Sequence, residues 1–173
     1  MQARSVWRIV TVDSVALLDR FTALLDLEKV QYCVIGGQAV NAYVDPLISL
    51  DLDVAVAAHD QERIATLLAT EFRVEAFPHR LNVSLPGSDL RIQIQLDPRY
   101  AEFVSHATTR DVLGVPLRVA RVEDVLRGKV WATSDPTRRA GKRQKDLADI
   151  SRLIESYPEL RNAVPSDLLQ RLV

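Results

Sequence analysis

Two stretches of the sequence indicate its fold: Val34-Ile35-Gly36-Gly37-Gln38-Ala39, and Asp51-Leu52-Asp53, which follows the Gly36-Gly37 pair after thirteen intervening residues. Tyr32–Ile35 is a short β-rich run, and residues 38–43 predict a brief helix that ends before Pro46. Two glycines between a strand and a helix let backbone N–H groups approach phosphate oxygens, and the helix N-terminus adds partial positive charge. A glycine pair alone is more often a simple tight turn, so it needs support from elsewhere in the chain.

That support comes from the two aspartates. Residues 50–56 alternate Leu, Asp, Leu, Asp, Val, Ala, Val, and this period of two predicts a strand with both carboxylates on one face. Like charges so close together are costly unless a cation lies between them, and Mg²⁺ prefers such hard oxygen ligands. The alternative is the solvent-exposed face of an edge strand, but the apolar residues between the aspartates indicate a strand packed on a core.

The rest of the chain predicts helices interleaved with strands and then a mostly helical end. Asp13 and Ser14 can cap a first helix. The turn at residues 86–89 predicts a hairpin between its two flanking strands. Further strands are predicted at residues 72–77, 81–85, 90–96 and 117–119, and further helices at 60–70, 122–131, 143–154 and 165–173.

Size and composition fit one ordinary globular domain over residues 1–173, with a core at 30–120 and a helical part at 121–173. The chain has 173 residues, of which 47% are hydrophobic and 26% charged. The element order predicts an α+β fold with a mixed sheet, helices on one face and a helical C-terminal part. Cys33 is the only cysteine, which excludes an internal disulfide, and its apolar strand predicts an inert buried thiol. We expect no membrane span and no signal peptide, and hence a cytoplasmic protein.

Charge is distributed unevenly along the chain. The net charge is −1, but residues 121–145 hold eight basic and three acidic side chains, whereas residues 1–120 carry a balance of −4. A local excess of +5 could meet a polyanion such as nucleotide phosphates or RNA. The alternative is a solvated helix end and loop.

Together, Gly36-Gly37 and Asp51-Leu52-Asp53 match the signature of the nucleotidyltransferase superfamily, with its polymerase-beta-like fold. The chain resembles in particular the AbiEii/AbiGii-type nucleotidyltransferases, which are toxins of bacterial abortive-infection and toxin–antitoxin systems. That resemblance also draws on Lys129 and on Lys145-Asp146-Leu147-Ala148-Asp149, and it covers residues 32–153.

The resemblance implies transfer of a nucleotide from an NTP to an RNA, a tRNA first, or to a protein, by in-line attack of an acceptor hydroxyl with release of pyrophosphate. It implies Mg²⁺ or Mn²⁺ at Asp51 and Asp53, a monomer or homodimer, and a possible cognate antitoxin. The implied catalytic set is Asp51, Asp53, Lys129, Lys145 and Asp146. The implied nucleotide-binding set is Gly36, Gly37, Gln38, Ser49, Gln93 and Gln95.

One departure leaves alternatives open. Active members of the superfamily carry a third carboxylate on a neighbouring strand, where this chain has Gln93. The enzyme could work with two carboxylates, or Asp97 could reach the site through a bent strand. Activity could also be lost, which would make the chain a nucleotide- or RNA-binding or interaction module of the same fold. A further alternative is the same chemistry on a small molecule, as in the aminoglycoside or lincosamide nucleotidyltransferases.

Overall fold

The computed structural model describes residues 3–57, 61–112 and 114–172, with side chains from Ser14 onward. In this part of the chain, helices are interleaved with strands as far as residue 119, and helices follow. The helices are α1 (Ala3–Leu27), α2 (Gly36–Asn41), α3 (Gln61–Ala69), α4 (Ala101–Ser105), α5 (Val122–Ser134), α6 (Ala140–Ser156) and α7 (Ser166–Leu169). The strands are β1 (Tyr32–Ile35), β2 (Asp51–Val56), β3 (Arg73–Phe77), β4 (Arg80–Ser84), β5 (Arg91–Gln95), β6 (Thr108–Val112) and β7 (Val115–Val119). Short 3₁₀ helices span Pro98–Tyr100 and Pro158–Ala163.

The described strands form one mixed sheet in the order β3-β4-β5-β2-β1-β7-β6. β2 pairs antiparallel with β1 and parallel with β5, while β1 pairs parallel with β7. The predicted hairpin is confirmed, since β4 and β5 pair antiparallel. The α+β fold with a mixed sheet and a helical C-terminal part is therefore confirmed.

The two faces of the central strands differ in chemistry. Leu52 and Val54 of β2 and Ile92 and Ile94 of β5 are buried, in one core cluster with residues of α1 and α3 such as Phe21. Because side chains alternate along a strand, the opposite face carries the polar residues between them. That polar face holds Asp51 and Asp53 of β2, Gln93 and Gln95 of β5, and Arg80 and Asn82 of β4.

Two sequence-based predictions of local structure were wrong, and one strand was missed. The first helix does not begin at a cap formed by Asp13 and Ser14, because α1 already begins at Ala3 and runs through both positions. β6 was missed because four of its five residues are exposed, as befits an edge strand without apolar alternation. The last helix ends at Leu169 and does not extend toward the C-terminus.

No helix in the described ranges is long and apolar enough to cross a bilayer.

Candidate active site

The two aspartates of β2 are brought to the polar face as the alternation predicted. Asp53 is paired in register with Ile35 of β1 on one side and with Gln93 of β5 on the other. Asp51 is paired with Arg91, and the Arg91 guanidinium lies 3.0 Å from the Asp51 carboxylate. Both side chains of that ion pair are more than a third exposed, so it contributes little to stability. The register therefore puts two carboxylates at the edge of a cleft, one of them bridged to a surface arginine.

Gly36 lies directly against the Asp53 carboxylate. Its φ of +67° is in the left-handed region, where a side chain is strained. A Cβ added at Gly36 would lie 3.0 Å from the Asp53 Cβ and 3.1 Å from its Cγ, and would collide with the carboxylate oxygen. Both backbone conformation and space thus require glycine at position 36. Gly37 differs, since a Cβ there would meet nothing within 4 Å.

The negative charge of the Asp53 side chain is poorly compensated. Burial raises the pKa of its carboxyl, Lys129 opposes that rise, and the neighbouring Asp51 adds to it. Within the described residues Asp53 has no hydrogen-bond or ion-pair partner. A half-buried carboxylate in this position would be stabilised by a cation that approaches from the cleft.

Helices α5 and α6 form the wall opposite the sheet and carry a buried ion network. The Lys129 Nζ lies 3.0 Å from an Asp146 oxygen and 2.7 Å from an Asp149 oxygen. Arg138 reaches Asp146 at 2.8 Å, and Arg152 reaches Asp149 at 2.8 Å. Burial by itself would lower the pKa of Lys129, but Asp149 and Asp146 outweigh it and raise the pKa. The lysine is therefore a permanent cation, held in place by two carboxylates.

The cleft between the sheet and this wall brings together seven of the residues that the sequence singled out. They come from five elements, and their side chains or backbone line a single concave surface. These residues are Gly36, Asp51, Asp53, Gln93, Gln95, Lys129 and Asp146.

Four other predicted site residues do not line the cleft. Gln38 is buried, and its side-chain amide donates to the backbone carbonyl of Ser49 at 2.9 Å. The Ser49 hydroxyl in turn accepts from the Asp51 N–H at 3.4 Å, so both residues order the loop that leads into β2. Gly37 and Lys145 also lie outside the cleft lining, and Lys145 is exposed.

The sequence reasoning missed three cations that do line the cleft: Arg80, Arg138 and Lys142. Helical spacing could have found Lys142, because it lies four residues before Asp146 and so shares its face of α6, whereas Lys145 is adjacent and points elsewhere. Arg80 belongs to β4, opposite Gln95 of β5, a pairing that only the strand register reveals.

Half of the basic side chains in segment 121–145 form ion pairs within the molecule. Arg121 and Arg127 form ion pairs with the fully buried Asp124, at 3.0 Å and 3.6 Å. Lys129 and Arg138 are paired with Asp146, as described above. The local excess of positive charge is thus concentrated on the exposed start of α6, beside the cleft, rather than spread over a broad basic surface.

Asp97 does not join the site. Its carboxylate accepts from the backbone N–H and the guanidinium of Arg99, both at 3.0 Å, and it caps the 3₁₀ helix that follows β5. Gln93, by contrast, is in register beside Asp53. The position expected for a third carboxylate therefore holds an amide.

The donor set suits a divalent cation of the Mg²⁺ class. Asp51 and Asp53 offer carboxylate oxygens from one strand face, and Gly36 leaves room against the second of them. Among the described residues no group of three His, Cys, Asp or Glu side chains could enclose a metal ion by itself. Two carboxylates fit a Mg²⁺ ion that completes its coordination with water and substrate phosphates.

Comparison with known proteins bears on the fold. No protein-family profile and no curated protein sequence matches the chain. Solved structures do match. The antibiotic-resistance factor ANT(2'')-Ia, in complex with adenylyl-2''-tobramycin, superposes with a TM-score of 0.60 at 15% identity over 94% of this chain and 100% of that one.

Two further structures are similar. The lincosamide antibiotic adenylyltransferase LnuA, bound to lincomycin, matches with a TM-score of 0.50 and 14% identity over 79% of this chain and 95% of LnuA. An antigenic nucleotidyltransferase-like protein from Paracoccidioides brasiliensis matches with a TM-score of 0.52 and 18% identity over 86% of this chain and 75% of that one. At these identities the likeness concerns the fold, and this chain has the nucleotidyltransferase-like fold.

Proposed function

We propose that this protein is a metal-dependent nucleotidyltransferase, which moves a nucleotide from an NTP to an acceptor and releases pyrophosphate. The observation that carries the proposal is the placement of Asp51 and Asp53 at the mouth of a cation-lined cleft, with Gly36 fitted against Asp53. Two carboxylates that share a cleft with several cations suit a substrate with many negative charges and a divalent cation.

In this proposal Asp51 and Asp53 hold Mg²⁺ or Mn²⁺, which when bound neutralises charge on the NTP phosphates. Lys142 and Arg138 line the cleft from the side of α6 and bind the outer phosphates. Lys129 adds a fixed positive charge behind them. Asp146 is a positioning residue, because its two oxygens hold Lys129 and Arg138 in place.

For the acceptor we propose RNA, a tRNA first. The sequence resemblance favours RNA or protein, whereas LnuA is an antibiotic adenylyltransferase and ANT(2'')-Ia was solved with an adenylylated antibiotic. Arg80 and Lys142 line the cleft, and cations so placed repel a polycationic antibiotic but attract a polyanion. A toxin role, with a cognate antitoxin, belongs to the same proposal and follows only if the modified RNA is one that the cell needs.

A second candidate function rests on Gln93. An amide beside Asp53 cannot accept a proton and is a poor Mg²⁺ ligand. The same cleft without a competent third group would still bind Mg·NTP, and the protein would then act as a nucleotide-binding or interaction module.

The two candidates are separated by a labelling experiment. Purified protein is incubated with Mg²⁺ and each of the four α-labelled NTPs, with total RNA, total protein or an aminoglycoside as acceptor. The Asp51→Asn/Asp53→Asn double variant is the control. Label transferred by the wild type but not by the variant supports the transferase and names the acceptor class. Binding of Mg·NTP in calorimetry without transfer of label would support the binding module.

A further inference from the structure

The carboxylates that line the cleft are already engaged, except one. Asp51 is bridged to Arg91 at 3.0 Å, and Asp146 is held by Lys129 and Arg138. Asp124 has no exposed side-chain surface and lies among three partners, of which Arg121 and His106 are at 3.0 and 3.3 Å. Asp53 is left, and the proposed function assigns it, together with Asp51, to the metal ion.

The remaining polar groups of the cleft cannot serve as a base either. Gln93 and Gln95 are amides without a basic lone pair. Lys129 is a permanent ammonium ion inside its carboxylate pair. Tyr100 is a phenol whose burial raises its pKa, so it keeps its proton near neutral pH. An alcohol acceptor would have to lose a proton during attack, and this cleft offers no free group to take it.

The same cleft offers an unpaired cation on the side of the sheet. Arg80 leads β4 and lies opposite Gln95, two strands away from β2. Its guanidinium packs over the Phe77 ring at 4.7 Å, its Nε is buried without a hydrogen-bond partner, and among the described residues it has no ion pair. Asn82, the next polar residue of β4, has a buried side-chain oxygen that is also without a partner.

A free guanidinium beside a row of amides suits a phosphate group. Arginine presents a planar fork of N–H donors that matches phosphate oxygens, and the amide N–H groups of Gln93 and Gln95 can donate to the same oxygens. A phosphate monoester is already ionised near pH 7, so its oxygen needs no base before it attacks.

We infer that the acceptor nucleophile is an ionised phosphate monoester, bound by Arg80 and the Gln93/Gln95 amides. This inference rests on the proposed function. In the reaction, a non-bridging oxygen of the acceptor phosphate attacks the α-phosphorus of the NTP and forms a new P–O–P bond. The bond from the α-phosphorus to the bridging oxygen breaks, and pyrophosphate leaves with its electron pair. No proton is taken from the nucleophile, and the total charge is conserved.

The test compares two nucleophiles under one set of conditions. One oligoribonucleotide carries a 5′-phosphate and a blocked 3′ end. Another, of the same sequence, carries a 5′-hydroxyl and a free 3′-hydroxyl. Glycerol 3-phosphate is the third acceptor, and it distinguishes a small phosphate ester from the end of an RNA. Each is incubated with the full-length protein, Mg²⁺ and α-labelled NTP, and both transfer and pyrophosphate release are measured.

We expect label on the 5′-phosphorylated RNA, on glycerol 3-phosphate or on both, in a linkage that a nucleotide pyrophosphatase cleaves to a nucleoside monophosphate. Label only on the hydroxyl oligonucleotide would overturn the inference but leave the proposed function standing. Absence of both transfer and pyrophosphate release with every acceptor would overturn the two together.

Two variants test the assigned groups. Arg80→Gln should raise the KM for the phosphate acceptor at least about tenfold, the loss expected for one charge-assisted hydrogen bond, and leave the Kd of Mg·NTP unchanged. Arg73→Gln, at an exposed arginine of β3, is the matched control. Gln93→Asp should reduce transfer to the phosphate acceptor by a similar factor, because the new carboxylate repels the acceptor phosphate. The same variant should increase transfer to the hydroxyl acceptor. Gln144→Asp, on the exposed face of α6, is its control. If Arg80→Gln behaves like Arg73→Gln, or Gln93→Asp improves transfer to phosphate, the assignment is wrong.

Discussion

Replacing Gly36 by alanine tests the link between backbone conformation and the carboxylate of Asp53. At a φ of +67° an alanine costs about 1–2 kcal/mol relative to glycine. Its Cβ would also push the Asp53 side chain, whose Cβ and Cγ lie 3.0 and 3.1 Å away, off its rotamer at roughly 0.5–1.5 kcal/mol. The lower conformational entropy of the unfolded alanine variant offsets about 0.4–1 kcal/mol of this destabilisation. The net expectation is a loss of roughly 1–3 kcal/mol in the free energy of unfolding.

The same displacement should impair the proposed metal site. We expect Gly36→Ala to weaken binding of Mg·ATP at least about tenfold, because the Asp53 oxygens no longer point along the present direction. Urea unfolding measures the stability, and calorimetric titration with Mg·ATP measures the binding. The protein is titrated under conditions where the variant remains folded.

Gly37→Ala is the matched control, since a methyl group at that position enters open space and its backbone N–H is retained. Alanine also favours the helical conformation of α2, by up to about 1 kcal/mol. We therefore expect unchanged or slightly higher stability and intact Mg·ATP binding. The reasoning is refuted if Gly36→Ala is as stable and binds as well as Gly37→Ala.

Three further predictions concern charge and burial. In the absence of metal, Asp53→Asn should increase the free energy of unfolding at pH 7.5, as measured by urea titration. Because the pKa of Asp53 is raised in the folded state, this gain in stability should shrink as the pH falls toward the ordinary pKa of 3.8. A gain that does not change with pH would contradict this prediction. Lys129→Met leaves two buried carboxylates short of a partner and should cost about 3–5 kcal/mol in urea unfolding, whereas the exposed Lys145→Met should stay within about 0.5 kcal/mol. Cys33, whose pKa burial raises to about 12, should not react with a thiol reagent at pH 8 until urea unfolds the protein; rapid reaction of the native protein would contradict its burial.

The fold was predictable where apolar and polar residues alternate with the period of the secondary structure. The alternation at residues 50–56 is a local pattern, and it correctly gave a strand with Asp51 and Asp53 on one face. The hairpin of β4 and β5 followed from its turn residues. β6 could not be predicted in this way, because Thr108–Val112 pairs at the sheet edge through its backbone and exposes nearly all its side chains.

The site was less predictable, because its parts converge from distant segments. Gln93 could be expected beside Asp53 only through the family resemblance, and Arg80 was missed, because no local pattern specifies which strands neighbour β2. The motif Lys145-Asp146-Leu147-Ala148-Asp149 points to Lys145, whereas the geometry of α6 places Lys142 in the cleft lining. The Gln38 side chain donates a hydrogen bond to the Ser49 carbonyl, so these two residues shape the loop before β2 and do not line the cleft.

The net charge of residues 121–145 is likewise a poor guide to the charge that the folded protein presents. A count of side chains gives +5, but four of the eight cations form ion pairs with Asp124 or Asp146. Ion pairing inside the fold is invisible to a count along the sequence. What remains at the start of α6 lies beside the cleft, where it can meet the phosphates of a nucleotide.

The most direct test of the central claim is to follow both ends of the triphosphate. ATP labelled at either the α- or the γ-phosphate is incubated with Mg²⁺, total cellular RNA and the wild-type protein or the Asp51→Asn/Asp53→Asn variant. Nucleotidyl transfer predicts the α-label on the acceptor and the γ-label in pyrophosphate, with both lost in the variant. The γ-label on the acceptor or in inorganic phosphate, or α-label transfer that survives loss of both carboxylates, would contradict the account.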